Sequence, residues 1–232
     1  MKKKYSLSII MLFVFLNAFS QPQGLNFRYE VVNPQHAGKI FRNPTSETIR
    51  IQGSPYSESK FLYADIENVS QKYFMRYNAY SDNFEFITFQ NDTLAMNRLE
   101  DFGTITFTKT NKKYCFVNYL SENGKRAKGY LVEMYTKSDF SLYKKESITF
   151  YGGKKAKTSL ESDLPANYSK VNFTYYFKTK SGSIIKFPEG KKQLIKLYPG
   201  NKEGIESFLK ENKIDFDLDS DKVKIINFLS TL

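Results

Sequence analysis

The sequence predicts an α+β fold, an antiparallel β-meander that is curved or barrel-like, followed by two or three short helices at the C-terminus. Apolar runs recur at spacings near ten residues from about residue 61, and turn residues separate them. β-branched and aromatic residues dominate these runs, and the chain holds 21 Phe and 17 Tyr but no Trp. Helical periodicity is found only after residue 188.

Residues 1–20 have the pattern of a signal peptide. Three lysines are followed by an apolar core over residues 6–16 and by the small residues Ala18 and Ser20, which predicts cleavage before Gln21. A retained membrane anchor is the alternative interpretation. No cysteine stands at the cleavage point, so a lipid anchor is not indicated. We therefore expect a periplasmic or extracellular protein that does not span the membrane once the leader is removed.

Residues 21–60 are mostly polar and contain four prolines, which predicts an extended N-terminal arm. One alternating segment, TIRIQG at residues 48–53, is a candidate strand. Composition does not show whether the arm packs on the body.

Residues 61–188 are predicted to form the antiparallel β domain. The dipeptides Asn123-Gly124 and Ser181-Gly182 predict hairpins, the first with a two-residue turn. A mobile loop is expected at residues 152–170, where two glycines, a lysine run and Pro165 interrupt the pattern. The predicted strands are 73–80, 84–89, 93–97, 103–109, 113–120, 129–135, 140–151, 172–180 and 183–187.

Residues 189–232 are predicted to form a helical segment packed on the sheet. The first helix, 191–198, ends before Pro199-Gly200 because proline lacks the N–H that would continue the helix. The second spans 201–212 with Asn201 as a possible N-cap, and a third closes the chain.

An aspartate stands at every second position of the segment DFDLDSD, which raises the question of a calcium site. An EF-type loop that starts at Asp215 needs Gly at its sixth position and Glu at its twelfth, but Ser220 and Ile226 stand there. We therefore favour a helix start over a metal site, with Asp219 or Ser220 as the N-cap and Asp221 stabilised by the helix dipole.

Catalytic motifs are scarce. The single histidine, His36, lies in the polar arm, and the single cysteine, Cys115, lies inside an apolar run that favours a buried structural thiol. We predict no catalytic residue, no metal site and no cofactor. Two-carboxylate chemistry stays open, although no spacing nominates a pair.

The net charge of +11 falls to +8 without the leader, and its lysines are spread along the chain. For an exported chain this favours an anionic envelope surface, and nucleic acid is not expected as a partner.

The segment FMRYNAYSDNFEF is the remaining candidate for a functional surface. Strand alternation places Tyr73, Met75 and Tyr77 on one face, and Phe74, Arg76 and Tyr80 on the other. Aromatic residues at strand spacing mostly pack, so a strand covered on both sides is favoured over a binding patch.

The segments GSPY (53–56), RYNAYSDNFEF (76–86), GY (129–130) and the ending from Phe208 to Leu232 resemble small secreted proteins common in Bacteroidota. The resemblance runs from about Gly53 to the end, and the leader ending in FSQ is similar too. It implies export and an envelope setting, and it assigns no catalytic or binding residue.

These observations predict a non-enzymatic envelope protein that binds another envelope protein or an apolar ligand. Two alternatives stay open. One is a carrier that encloses a lipid or another apolar ligand in a curved sheet. The other is a hydrolase with paired carboxylates.

Overall fold

The structure, a computed structural model, describes residues 51–97, 102–158 and 160–232. The predicted leader and the arm up to residue 50 lie outside the described residues. The candidate strand at 48–53 is described only in its last three residues. There Gln52 forms an isolated parallel bridge with Asn167, and Tyr56 forms an antiparallel bridge with Asn78. This end of the arm therefore packs on the body.

Ten strands form one antiparallel sheet in the order β12-β11-β8-β7-β6-β5-β1-β2-β3-β4, and β9 pairs with β10 in a separate two-stranded sheet. The predicted antiparallel sheet is thereby confirmed. The strands are β1 (Leu62–Ile66), β2 (Val69–Asn78), β3 (Asn83–Ile87), β4 (Thr93–Ala95), β5 (Thr104–Phe107), β6 (Lys112–Leu120), β7 (Arg126–Lys137), β8 (Phe140–Ser147), β9 (Phe150–Tyr151), β10 (Asn167–Tyr168), β11 (Asn172–Lys178) and β12 (Ile184–Lys186).

The hairpin between β6 and β7 differs from the prediction in its turn. Ser121 and Lys125 close a three-residue loop, and the Gly124 N–H donates to the Ser121 carbonyl at 2.8 Å. Gly124 has φ = +69°, a left-handed conformation that glycine adopts without a steric penalty. The predicted two-residue turn is wrong because the glycine follows a type I turn as a bulge residue.

The first hydrophobic core lies on one face of β1, β2, β3, β5, β6 and β7, and it is largely aromatic. The Tyr77 ring lies 4.8 Å from the Tyr114 ring, and the Phe84 ring meets the Tyr130 ring edge-on at 4.8 Å. The buried members of this core are Ala64, Ile66, Met75, Tyr77, Ala79, Phe84, Met96, Ile105, Phe107, Tyr114, Tyr130, Val132 and Ile148.

Three helices in the described part of the chain cover the other end of the sheet and confirm the predicted C-terminal helical segment. They are α1 (Lys191–Leu197), α2 (Lys202–Glu211) and α3 (Asp219–Leu229), and a 3₁₀ turn joins α1 to α2. None of them is long and apolar enough to cross a membrane. The second core between helices and sheet is mainly aliphatic, and its buried members are Phe140, Leu142, Phe177, Phe187, Leu194, Ile205, Ile225, Ile226 and Leu229.

A third, smaller cluster is formed by side chains of β6, β7, β8, β11 and β12. Its buried side chains are those of Cys115, Leu131, Tyr143, Tyr176 and Ile184. β12 comes close to β6. The edges of the sheet are β12 and β4, and no ladder between described residues closes it.

The segment between β9 and β10, where the sequence predicts a mobile loop, contains paired backbone. Lys154 and Leu164 exchange two hydrogen bonds of 2.9 and 2.8 Å, and β10 follows at Asn167. The segment is therefore a long hairpin that ends in the second sheet.

Candidate functional site

Strand β2 presents two different faces. Met75 and Tyr77 are buried in the first core, as expected for a covered strand. On the opposite face, Phe74 is 38% exposed and its neighbour on β1, Tyr63, is 60% exposed. The prediction of a strand covered on both sides is therefore wrong for this face.

The exposed rings form one continuous surface. The Phe74 ring lies 5.0 Å from the Tyr63 ring and 5.8 Å from the Phe61 ring. Phe89, just beyond β3, is 96% exposed and lines the same depression of about 330 Å³ as Tyr63 and Phe74. We call Phe61, Tyr63, Phe74 and Phe89 the aromatic face. Exposed apolar patches of this kind usually mark contact sites.

An ionic network at Arg76 holds the neighbouring part of this face in place. The Arg76 guanidinium donates to Glu85 Oε2 at 2.7 and 3.0 Å and to the Tyr56 hydroxyl at 2.6 Å. It also stacks on the Tyr56 and Phe61 rings, 3.6 and 4.3 Å from their centroids. Burial, and then the Glu85 carboxylate, raise the pKa of Tyr56 to about 12. A tyrosine that stays protonated serves as a hydrogen-bond donor here, so the network is structural.

Tyr80 does not belong to the aromatic face, contrary to the alternation argument. Strand β2 ends at Asn78, and the chain turns before Tyr80. The Tyr80 ring then packs edge-on against Tyr168 at 5.5 Å and Phe150 at 6.3 Å. It joins the second sheet to the body.

Asp82 occupies a gap between β7 and β8. The ladder between these strands stops at Val132, and the Asp82 carboxylate accepts hydrogen bonds from the Tyr77 hydroxyl at 2.6 Å and the Lys145 ammonium at 2.5 Å. The Tyr130 N–H also donates to it, at 3.3 Å. A β-carbon at Gly129 would overlap this carboxylate, so the close approach requires glycine.

A second carboxylate, Glu146, is buried on the side of the first core. It accepts a hydrogen bond of 2.8 Å from the Tyr114 hydroxyl and one of 2.6 Å from the Lys112 ammonium. Its side chain is 5% exposed. Asp82 and Glu146 each accept hydrogen bonds from a lysine and a tyrosine, an arrangement that compensates the charge removed from water.

Cys115 is confirmed as a buried thiol. Burial, and then the nearby Glu133 carboxylate, raise its pKa to about 11. The thiolate is the nucleophilic form, so this cysteine is unreactive at neutral pH. The other catalytic candidate, His36, lies outside the described residues.

The aspartate segment begins α3, but not through the predicted cap. The N-cap position is Leu218, and no side-chain capping hydrogen bond forms there. Asp221 turns back instead and accepts the Asp215 N–H at 2.9 Å, while Lys224 donates to its other oxygen at 2.7 Å. Asn201 precedes α2 as predicted, also without a side-chain capping bond. No group of three or more His, Cys, Asp or Glu residues placed to hold a metal ion occurs within the described ranges.

No family model matches the chain, and neither a curated protein nor a solved structure is significantly similar to it. The resemblance to secreted Bacteroidota proteins therefore stays a prediction. The sequence predicts Phe74 and Arg76 as members of a candidate surface, but it does not predict Tyr63 and Phe89. The alternation in Leu62–Ile66 could have identified Tyr63, whereas Phe89 falls in a predicted strand that ends two residues earlier in the structure.

Proposed function

We propose that this chain is an exported envelope protein that binds another envelope protein through the aromatic face, without catalysing a reaction. The observation that carries this proposal is the uncovered surface of Tyr63, Phe74 and Phe89 beside strand β2. Aromatic rings contribute large contact areas at low entropic cost, and they are enriched in the centres of protein interfaces.

The charges beside the aromatic face favour an uncharged contact surface on the partner. Arg76 is paired with Glu85 at 2.7 Å, and Lys72 is paired with Asp65 at 3.2 Å. A charged partner would have to compete with these pairs, whereas an apolar surface gains contact with the rings at no such cost. The aromatic face is therefore suited to a neutral, apolar patch.

The state of the acids and the thiol supports binding over catalysis. Asp82 and Glu146 each accept hydrogen bonds from a lysine and a tyrosine, and the raised pKa of Cys115 keeps its thiol protonated. A hydrolase with paired carboxylates needs one free base and one free acid near the substrate. The hypothesis of a hydrolase with paired carboxylates is therefore less favoured than binding.

The carrier hypothesis depends on a curved, barrel-like sheet with an open interior. The approach of β12 to β6 supports such curvature. However, Leu131, Tyr143 and Tyr176 are buried together on these strands, so side chains would occupy such an interior, as they do in small barrels. The binding role is therefore preferred, and lipid co-purifying with the protein by mass spectrometry would favour the carrier.

Site-specific photocrosslinking in native envelopes tests the proposal. We expect a benzoylphenylalanine in place of Tyr63 to crosslink to one envelope protein. The same probe in place of Leu197, an exposed apolar residue on α1, serves as the matched control and should not give this product.

The identified partner is then purified and its affinity measured. Phe74→Ser should weaken binding about thirtyfold, since truncating an interface hot spot costs about 2 kcal/mol or more. Leu197→Ser should leave the affinity unchanged. Identical crosslinks from both probe positions, or an affinity insensitive to Phe74→Ser, would refute the role of the aromatic face.

A further inference from the structure

The hairpin between β9 and β10 has its own internal order. Beyond the Lys154–Leu164 bridge, the Asp163 carboxylate accepts the Ala156 N–H at 2.7 Å. The Glu161 carboxylate accepts the Lys157 N–H at 3.0 Å. Both acids of the hairpin are thus bonded to its own backbone and fix its shape. We call residues 151–158 and 160–165 the basic hairpin.

Apolar side chains of the basic hairpin point into solvent. Leu160, near the tip, is 97% exposed, Leu164 is 62% exposed and Tyr151 is 56% exposed. Tyr151 and Leu164 line a depression of about 390 Å³. Single exposed apolar residues are ordinary, but two leucines and a tyrosine on one protruding hairpin leave a large apolar area in water.

The same hairpin carries a positive charge. Lys154, Lys155 and Lys157 are all exposed, and within the described residues none of them forms a salt bridge. They outnumber the two acids, whose carboxylates are turned toward backbone N–H groups. Lysines beside exposed leucines are complementary to a surface with anionic headgroups above a hydrocarbon layer.

We propose that the basic hairpin docks the protein on an anionic membrane surface. Leu160 and Leu164 enter the apolar boundary, Tyr151 lies at headgroup level, and the three lysines contact lipid phosphates. A nucleic acid would satisfy the lysines and leave the leucines in water, and it is not expected outside the cytoplasm. The hairpin shares no residue with the aromatic face, so each surface can be changed without altering the other.

Vesicle binding of the purified exported protein tests this proposal. The probes are phosphatidylcholine vesicles with and without an equal share of phosphatidylglycerol. We expect binding only to the anionic vesicles, and we expect added salt to weaken it by screening. Leu160→Ser should weaken binding roughly tenfold or more, because a leucine is no longer transferred from water. Its near-complete exposure means that the substitution leaves folding intact.

The electrostatic part is tested with a triple variant. Replacing Lys154, Lys155 and Lys157 by glutamine should weaken binding about fivefold per lysine. The matched control replaces three other exposed lysines, Lys109, Lys125 and Lys137, by glutamine and should have little effect.

Three results would overturn the proposal. They are equal binding to both vesicle types, an equal loss in the control variant, and binding of the hairpin to an envelope protein while vesicles stay unbound. The aromatic face is unchanged in all these variants. Protein binding by that face is tested separately by the Phe74→Ser affinity measurement, so the two proposals can fail independently.

Discussion

The two main cores of the molecule are built from different side chains. The first, on β1 to β7, packs Tyr77, Tyr114 and Phe84 with ring centroids about 5 Å apart. The second, beneath the helices, is dominated by aliphatic side chains such as Leu194 and Ile226, both fully buried. Tyrosine brings a hydroxyl into the interior with its ring, whereas leucine and isoleucine bring no polar atom.

This difference explains why two acids lie beside the aromatic core. The Tyr114 hydroxyl donates to Glu146 and the Tyr77 hydroxyl donates to Asp82, so each of these two tyrosines has a carboxylate acceptor. A buried hydroxyl without an acceptor would be costly. The aromatic core therefore depends on specific hydrogen bonds, whereas the buried aliphatic side chains of the second core contribute through the volume that they fill.

The largest effect is expected in the aliphatic core. Ile226→Ala should lower the free energy of unfolding by about 2–5 kcal/mol, and Ile226→Val by about 0.5–1.5 kcal/mol, because the loss follows the volume removed. Urea denaturation measures both values. If Ile226→Val were as costly as Ile226→Ala, packing volume would not govern this core.

In the aromatic core, a change that conserves volume should still be costly. Glu146→Gln should lower the free energy of unfolding by about 1.5–3 kcal/mol, because it weakens two charge-assisted hydrogen bonds at a buried site. Glu133→Gln is the control. Glu133 pairs with Lys113 at a more exposed position, and its loss should cost under about 1 kcal/mol. If Glu146→Gln and Glu133→Gln lowered the free energy of unfolding equally, the buried hydrogen bonds of Glu146 would be worth no more than a more exposed ion pair. The aromatic core would then not depend on specific hydrogen bonds.

Alkaline pH should destabilise the folded protein through the buried tyrosines of the aromatic core. Burial raises the pKa of Tyr114 and of Tyr77, and the carboxylates Glu146 and Asp82 raise these pKa values further. In the unfolded chain, where neither burial nor a neighbouring carboxylate acts on it, a tyrosine ionises near pH 10. The stabilisation from these tyrosines is therefore complete below about pH 10 and is lost as the pH rises from there toward the folded-state pKa.

Each such tyrosine should contribute a slope of about 1.4 kcal/mol per pH unit to the free energy of unfolding above pH 10. Tyr114→Phe should reduce this slope by the contribution of one tyrosine, as measured by urea denaturation at a series of alkaline pH values. An unaltered slope in Tyr114→Phe would contradict the assignment.

The smallest effect concerns the end of α2, which lies against the aliphatic core. Lys213 has φ = +47°, and the Ile214 N–H that follows it donates to the Leu209 carbonyl. Glycine is preferred at this position, so Lys213→Gly should raise the free energy of unfolding by roughly 0.5 kcal/mol. Lys210→Gly, inside the same helix, should lower it by about 1 kcal/mol. A thermal midpoint that falls in both variants would argue against a strained Lys213.

Most strands and all three helices could be predicted from sequence, because alternation, turn residues and Pro199 are local signals. Strand β1 is absent from the prediction, because its alternation spans only five residues and includes Ala64 and Asp65, which have low strand propensity. Its position between β2 and β5 could not be predicted either. Pairing between distant strands is decided by packing across the sheet, which local spacing does not encode.

The candidate surfaces were predictable only in part. The crowding of aromatic residues around Phe74 nominated the aromatic face, but which ring faces solvent depends on where the helices pack. The predicted N-cap of α3 is wrong for a similar reason. Asp219 and Ser220 suit an N-cap, yet Asp221 stabilises the preceding turn through the Asp215 N–H and the helix starts one residue after Leu218.

The Asp82 carboxylate has a consequence for how the protein unfolds. It is carried by the turn between β2 and β3, yet it contacts Lys145, which lies 63 residues later in β8. Withdrawing that turn would leave the Lys145 charge and the Tyr77 hydroxyl without this acceptor. The turn between β2 and β3 and strand β8 are thus energetically coupled, and we expect calorimetry to show a single cooperative transition for residues 51–232.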